Sequence, residues 1–213
     1  MNTILTQLQA LRIIPVIAID NAEDADPMAD ALSAGGLPVA EITFRTAAAE
    51  SAIRRLAKRE GFLIGAGTVL NVETAQRAVD AGAKFLVSPG FSPKVVGWCA
   101  KNNLPITPGV ATPTEIEMAL DHGLSAVKFF PAETIGGLKA LKAIAAPYAM
   151  VRFIPTGGIT AENLAHYLAF SPVLACGGSW MATKQMLSAG QFERVRELTA
   201  EAVKISERAI PAT

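Results

Sequence analysis

Short hydrophobic runs alternate along the chain with longer amphipathic segments. The runs are rich in β-branched residues and nearly free of polar positions, which is typical of strands buried on both faces. Eight strands are predicted, at residues 13–19, 39–44, 62–67, 85–88, 105–107, 126–130, 151–155 and 173–177. In the segments between them, apolar residues recur three and four positions apart, which is the period of a helix with one buried face. Helices are predicted at residues 22–34, 47–60, 72–81, 93–102, 113–122, 137–145, 161–169 and 184–209, after a short extra helix at about residues 4–11.

Alternation of strand and helix indicates parallel strands, because each helix carries the chain back to the start of the next strand. Gly35 with Gly36, Gly82 and Gly123 follow predicted helices, where glycine can adopt the left-handed conformation that ends a helix. Eight such units in 213 residues predict an α/β fold, a (β/α)₈ or TIM barrel forming one domain over residues 1–213. An open doubly wound sheet is the alternative, but no Gly-x-Gly-x-x-Gly motif follows the first strand.

Composition and charge narrow the classes of protein. Hydrophobic residues make up 51% of the chain and charged residues 18%, so the chain can bury a core and is not a disordered linker. Lys plus Arg and Asp plus Glu both total 19, whereas a protein that binds nucleic acid or an anionic membrane would carry a basic excess. No nucleic acid or membrane partner is expected, and a charged ligand must be held by a local site.

The cysteines and histidines give no sign of a metal site. Cys99 and Cys176 are far apart, and neither has a second Cys or a His at metal-ligand spacing. Two buried thiols are predicted, as is common in a reducing cytoplasm. His122 and His166 fall in predicted helices and are interpreted as surface or packing residues. The first residues do not form a signal peptide and no apolar run is long enough to span a membrane, so a cytoplasmic protein is predicted.

The second predicted strand carries charges where a buried strand should have none. The alternation of strand side chains places Glu41, Thr43 and Arg45 on one face, toward the interior of the barrel. An internal Glu41–Arg45 ion pair is one interpretation. A buried ion pair contributes little to stability, however, so charges inside a barrel more often indicate chemistry.

Lys128 lies in a predicted strand that has no other charge, and it shares a face with Phe130. A lysine among apolar groups loses hydration of its ammonium form, which makes the neutral amine available to attack a carbonyl. The alternative is that the side chain extends its charged end to solvent.

Glycine pairs end the last two predicted strands. Thr156 precedes Gly157 and Gly158, and Gly178 precedes Ser179, with a helix following each loop. Backbone N–H groups of glycine loops and helix N-termini bind phosphate, and barrels often place a phosphate site after strands seven and eight. Thr68 and Pro89 follow the third and fourth strands, where small neighbours leave interior space for a ligand and Thr68 can donate to a carboxylate.

Six segments carry a family resemblance, and they occur in order between about residues 13 and 201. They are Glu41-Ile42-Thr43-Phe44-Arg45-Thr46, Gly65-Ala66-Gly67-Thr68-Val69-Leu70, Ser88-Pro89-Gly90, Lys128-Phe129-Phe130-Pro131-Ala132-Glu133, Pro155-Thr156-Gly157-Gly158-Ile159 and Gly177-Gly178-Ser179-Trp180. Together they resemble the motif set of the 2-dehydro-3-deoxy-phosphogluconate (KDPG) aldolase family.

The resemblance implies a metal-independent class I aldolase of the Entner–Doudoroff pathway, needing no cofactor and assembling as a homotrimer. Such an enzyme cleaves KDPG to pyruvate and glyceraldehyde 3-phosphate and often acts on 4-hydroxy-2-oxoglutarate (KHG). The resemblance assigns the Schiff base to Lys128 and acid–base catalysis to Glu41. It further assigns substrate binding to Arg45 and Thr68 at the carboxylate, Pro89 and Phe130 in the pocket wall, and Thr156, Gly157, Gly158, Gly178 and Ser179 at the phosphate.

Three other functions are compatible with parts of the pattern. An aldolase acting on the galactonate epimer of the substrate would have the same residues. A phosphosugar isomerase or epimerase would use the phosphate loops but would not need Lys128. A non-catalytic phosphometabolite-binding barrel would be expected to lack Lys128 or Glu41, and both are present.

Overall fold

The computed structural model describes residues 3–209, and within them strands alternate with helices. The strands are β1 (Ile13–Ile17), β2 (Val39–Thr43), β3 (Leu63–Gly67), β4 (Phe85–Val87), β5 (Ile106–Thr107), β6 (Gly109–Val110), β7 (Ala126–Phe129), β8 (Arg152–Pro155) and β9 (Cys176–Gly178). The helices are α1 (Thr3–Leu11), α2 (Ala25–Ala34), α3 (Ala49–Leu56), α4 (Val72–Asp80), α5 (Pro93–Lys101), α6 (Pro113–Asp121), α7 (Gly137–Ala145), α8 (Ala161–Leu168), α9 (Lys184–Ser188) and α10 (Phe192–Arg208).

All strand pairs are parallel, as the alternation predicts. One sheet has the order β5-β4-β3-β2-β1-β9 and the other has the order β6-β7-β8. The strands curl into a half-barrel. Two isolated bridges, Phe153 to Val173 and Thr156 to Gly177, connect the region of β8 with that of β9. The carboxyl ends of the strands therefore gather at one end of the molecule.

Several predicted elements differ from the structure, and the helix predicted at residues 47–60 is shorter, at Ala49–Leu56. The fifth predicted strand, at residues 105–107, is present as β5, and beyond Pro108, which has no N–H to donate, an unpredicted strand, β6, pairs with β7. The last strand begins at Cys176 rather than at Val173, because only Cys176–Gly178 pairs with β1. The predicted helix over residues 184–209 is broken at Gly190, whose φ of 66° lies in the left-handed region, and becomes α9 and α10.

Local sequence accounts for where several helices begin. The Asn71 side chain accepts a hydrogen bond of 2.8 Å from the Thr74 backbone N–H at the start of α4. At the start of α6, Thr112 and Glu115 cap each other's backbone N–H groups, and Pro113 occupies the first helical position. The extra N-terminal helix is present as α1.

The core lies between strands and helices, and every residue of β1 and β2 is buried. Arg12, just before β1, donates hydrogen bonds to the carbonyls of Leu168, Ser206 and Ala209, which ties the ends of α8 and α10 to the sheet. Cys99 and Cys176 are free and buried, as predicted. Within residues 3–209, no helix has the length and apolar character needed to cross a membrane.

Candidate active site

A cavity of about 290 Å³ opens at the carboxyl ends of the strands, and all eleven predicted site residues line it. The walls also include four residues that the prediction did not assign to the site. The lining consists of Val16, Glu41, Thr43, Arg45, Thr68, Pro89, Lys128, Phe130, Thr156, Gly157, Gly158, Ile159, Gly177, Gly178 and Ser179. Residues spread over more than half of the chain thus meet in one site.

The alternation of strand side chains could have identified two of the missed residues. Thr43 shares a face of β2 with Glu41, and Val16 pairs with Glu41 in register across β1 and β2. Ile159 and Gly177 adjoin predicted phosphate-loop residues, but their sequence context gives no separate signal. Their positions become evident only when β8 and β9 are brought together.

Lys128 and Glu41 form a buried ion pair inside the cavity. Lys128 Nζ lies 3.5 Å from Glu41 Oε1, and the two side chains are 7% and 4% exposed. The ammonium also lies 5.1 Å from the centre of the Phe130 ring. Lys128 therefore does not extend to solvent, and the partner of Glu41 is Lys128 rather than Arg45.

One oxygen of Glu41 lacks a hydrogen bond in the part of the chain that the structure describes. Glu41 Oε1 is fully buried and has no donor within hydrogen-bond geometry. A buried oxygen without a donor is costly, so it is rare unless the site uses it. The arrangement presents an acceptor beside an amine, which is what proton transfer at a covalent intermediate on that amine requires.

Arg45 stands at the mouth of the cavity on a chain of hydrogen bonds. Its Nε donates to Thr43 Oγ1 at 3.0 Å, and that hydroxyl donates to the Ile17 carbonyl at 2.9 Å. Thr43 is buried while Arg45 is exposed. A guanidinium held in this way can present two parallel N–H groups to a carboxylate entering the cavity.

The loop after β8 lies against the segment that follows Lys128. Gly157 and Gly158 have φ of 97° and 83°, which favours glycine at both positions. A Cβ on Gly158 would lie 2.6 Å from the Cβ of Glu133, so the close approach also requires glycine. The Glu133 side chain accepts a hydrogen bond from the Tyr167 hydroxyl on α8. The loop is thereby fixed next to the N-terminus of α8, where backbone N–H groups favour an anion.

The glycines of β9 make room for neighbouring side chains. A Cβ on Gly177 would lie 2.4 Å from Thr156 Oγ1, and a Cβ on Gly178 would lie 1.9 Å from the Trp180 ring. Ser179 follows on the exposed rim of the cavity.

Thr68 and Pro89 occupy the opposite wall. Thr68 has a left-handed φ of 57°, a strained conformation for a β-branched residue that sequence patterns do not reveal. The interior space next to Gly67 is filled by the Glu41 carboxylate, whereas the sequence suggested that a ligand could occupy it.

Other titratable groups lie outside the cavity. His122 and His166 are exposed on helices, and His122 Nδ1 lies 2.8 Å from the Met118 carbonyl oxygen. Across residues 3–209, no three His, Cys, Asp or Glu side chains cluster in a way that could hold a metal ion.

Comparisons with known proteins identify the family of this chain. The aldolase family described as KDPG and KHG aldolase matches residues 4–198. The 2-dehydro-3-deoxy-phosphogluconate aldolase of Treponema pallidum is 51% identical over 206 residues, covering 96% of this chain and 98% of that protein.

Two solved structures extend the comparison. The Zymomonas mobilis 2-keto-3-deoxy-6-phosphogluconate aldolase with 3-phosphoglycerate is 39% identical, with a TM-score of 0.88 over 97% of this chain and 98% of that one. The KDPG aldolase of Legionella pneumophila, with pyruvate captured as a covalent carbinolamine, is 38% identical, with a TM-score of 0.88 over 92% of this chain and 98% of that one. This protein is therefore a lyase that belongs to the KDPG and KHG aldolase family.

Proposed function

We propose that this protein cleaves 2-dehydro-3-deoxy-6-phosphogluconate into pyruvate and D-glyceraldehyde 3-phosphate through a Schiff base on Lys128. The observation that carries the proposal is the buried Lys128–Glu41 pair, 3.5 Å apart, in a cavity of a KDPG and KHG aldolase family member. An isomerase that uses only proton transfer would not need a buried amine. KHG, named in the family description, is proposed as a second substrate.

The reaction begins at the C2 carbonyl of the substrate. Glu41 takes a proton from the Lys128 ammonium, and the neutral amine adds to C2 to give a carbinolamine. Glu41 then returns the proton to the carbinolamine hydroxyl, which leaves as water and gives an iminium. Glu41 accepts the proton of the C4 hydroxyl as the C3–C4 bond breaks, and the bonding electrons move into the iminium to form an enamine. Glyceraldehyde 3-phosphate leaves, a proton returns to C3 of the enamine, and hydrolysis of the iminium releases pyruvate and restores Lys128.

The two ends of the cavity suit the two charged ends of the substrate. Arg45 and Thr68 bind the carboxylate, and Pro89 and Phe130 form the wall beside the reacting carbons. At the other end the phosphate is bound by residues of the two glycine loops: Thr156, Gly157, Gly158, Gly178 and Ser179. A substrate bound in this way would have its C2 carbonyl next to Lys128.

The proposal extends to the architecture and assembly. The strands form a closed eight-membered barrel in a single domain, with β5 and β6 acting as one strand interrupted at Pro108. The bridge from Thr156 to Gly177 and the backbone hydrogen bond of 2.9 Å from Lys128 to the Pro108 carbonyl support this closure. A homotrimer is proposed from the family resemblance, and its test is a mass in solution of three chains.

Cleavage assays with two epimers test the substrate assignment. KDPG and its C4 epimer, the galactonate-derived compound, are supplied side by side while pyruvate release is followed. We expect faster release from KDPG. Preference for the epimer would replace the substrate assignment, and tight binding without turnover would favour a phosphometabolite-binding protein.

Trapping with borohydride tests the nucleophile. Pyruvate plus borohydride is expected to add a stable mass to the wild-type protein and to Lys139→Ala, a control on the exposed surface of α7. Lys128→Ala should gain no mass and should lose cleavage activity. Labelling of the Lys128→Ala protein would place the Schiff base on another amine.

Chelation tests the independence from metal. Because the iminium supplies the electron sink that a Lewis acid would otherwise provide, activity should be unchanged after prolonged treatment with EDTA. Inhibition by EDTA that a divalent cation reverses would contradict a class I mechanism.

A further inference from the structure

We propose that Gly67 is a positioning residue, whose missing side chain determines where the Glu41 carboxylate lies relative to Lys128. The inference rests on the proposed function, since it concerns the acid–base group of that reaction. Gly67 ends β3, is not itself part of the cavity lining, and lies against the Glu41 side chain.

The register of β2 and β3 places the two residues diagonally. Glu41 is opposite Gly65, and Thr43 is opposite Gly67, so Gly67 lies one same-facing position beyond the partner of Glu41. Diagonal neighbours on one face of a sheet are within reach of a long side chain. The Glu41 side chain extends along this diagonal into the space above Gly67.

That space has no room for a side chain. A Cβ on Gly67 would lie 2.1 Å from Glu41 Oε1, 2.7 Å from its Cδ and 2.8 Å from its Cγ. Non-bonded heavy atoms are most stable at roughly 3.5–4.0 Å, so the carboxylate would have to move by about 1 Å or more. Three consecutive atoms of the side chain are involved, and a small rotation of the carboxylate alone would not relieve the contact.

Few other contacts fix the carboxylate. The space at Gly65, the preceding residue on the same face, is already filled by the Phe85 ring, since a Cβ there would lie 2.2 Å from the ring. Glu41 Oε1 accepts no hydrogen bond from the described residues, and its ion-pair partner is Lys128 at 3.5 Å. Packing against Gly67 and attraction to Lys128 thus determine the position of this oxygen.

The test compares Gly67→Ala with Gly90→Ala. Gly90 also follows a strand at the cavity end of the fold, but a Cβ there would meet nothing within 4 Å. The assay is exchange of the pyruvate methyl protons for deuterium in D₂O, which requires both the Lys128 enamine and proton transfer by Glu41.

Gly67→Ala is expected to slow this exchange about 10- to 100-fold, since a misplacement of about 1 Å can cost two orders of magnitude in rate. Gly90→Ala should exchange at the wild-type rate. When the Schiff base with saturating pyruvate is reduced by borohydride until labelling is complete, the wild type and both variants should be labelled equally, because Lys128 is intact. Equal exchange rates for Gly67→Ala and the wild type would overturn the inference, whereas absence of both exchange and trapping in the wild type would overturn the proposed function.

A double-variant comparison separates positioning from general damage. Glu41→Ala removes Cγ, Cδ and Oε1, the three atoms that a Cβ on Gly67 would meet, and by itself leaves only a residual exchange rate. Adding Gly67→Ala to Glu41→Ala should then lower this residual rate by less than about threefold, because no atom remains to clash and the two effects are not additive. Multiplicative losses would contradict the inference. If Gly67→Ala alone is insoluble, a soluble double variant supports the clash with Glu41. If the double variant is insoluble as well, the damage does not arise from that clash, and the inference is overturned.

Discussion

Lys128 and Glu41 are both buried and form an ion pair with each other. Moving two charges out of water costs several kcal/mol for each ion, and the attraction between them repays this only in part. An apolar pair of similar size would stabilise the fold as well or better. The proposed mechanism gives the pair a use, since Oε1 of Glu41 accepts no hydrogen bond from the described residues and lies beside the amine.

Arg45 permits a prediction at the scale of a single residue. In Arg45→Lys the charge is retained, but the planar pair of N–H groups is lost, and so is the hydrogen bond from Nε to Thr43. Hydrogen bonds to a charged group are worth about 1.5–3 kcal/mol, so the KM for KDPG should rise about 10-fold or more. The KM of the variant is measured by steady-state kinetics of pyruvate release.

A matched control for this variant lies on α3. Arg54→Lys alters an arginine that is 52% exposed and pairs with Glu50 on the same helix. Its KM should equal that of the wild type. An unchanged KM in Arg45→Lys would remove Arg45 from the carboxylate site.

At the scale of elements, the sequence predicts most helices and strands to within a few residues, because period and glycine position are local properties. The face shared by Glu41, Thr43 and Arg45 also follows from local alternation. The strand β6 beyond Pro108 and the break at Gly190 were missed for a different reason. Proline and glycine are visible in the sequence, but the pairing of β6 with β7 and the left-handed φ of Gly190 depend on packing with distant parts of the chain.

The role of the site glycines shows the same limit. The sequence locates Gly67 and Gly177 at strand ends, but whether each makes room for a ligand or for a side chain depends on the neighbouring strands. The structure places Glu41 over Gly67 and Thr156 next to Gly177. The left-handed Thr68 likewise depends on surroundings that are distant in sequence.

Gly35 lies where α2 packs against α10, and its replacement by alanine should have the opposite effect on stability from the same change in α5. Gly35 ends α2 with a right-handed helical backbone, and a Cβ there would lie 2.6 Å from Thr199 Cβ and 2.8 Å from the Arg196 carbonyl on α10. Gly35→Ala should therefore lower the free energy of unfolding by about 1–3 kcal/mol through overpacking.

Gly97 is the matched comparison, since it lies within α5 and a Cβ there would meet nothing within 4 Å. Gly97→Ala should raise the free energy of unfolding by about 0.5–1 kcal/mol, because alanine loses less backbone entropy in a helix. Urea denaturation of both variants measures these changes. Destabilisation by Gly97→Ala, or none by Gly35→Ala, would show that the described helix packing is wrong.

At the scale of the whole molecule, two buried thiols make stability depend on alkaline pH. Burial raises the pKa of the Cys99 thiol from 9.0 to about 11, and burial raises the pKa of Cys176 as well. A thiol with a raised pKa in the folded state holds its proton more tightly there than in the unfolded chain. The stability that the Cys99 thiol contributes is therefore complete below about pH 9 and is lost as the pH rises toward 11.

Between pH 8 and pH 10, Cys99 alone should lower the free energy of unfolding of the wild type by about 1 kcal/mol, since one pKa unit corresponds to about 1.4 kcal/mol. Urea denaturation at both pH values measures this loss. Cys99→Ala lowers the free energy of unfolding because it leaves a cavity beneath α5. Between pH 8 and pH 10, however, the free energy of unfolding of this variant should fall by about 1 kcal/mol less than that of the wild type. The lysines and other alkaline groups are shared by both proteins and cancel in the comparison. If both proteins lost the same free energy of unfolding between pH 8 and pH 10, the Cys99 thiolate would be as stable in the folded core as in water. That result would contradict the burial of Cys99 on the inner face of α5.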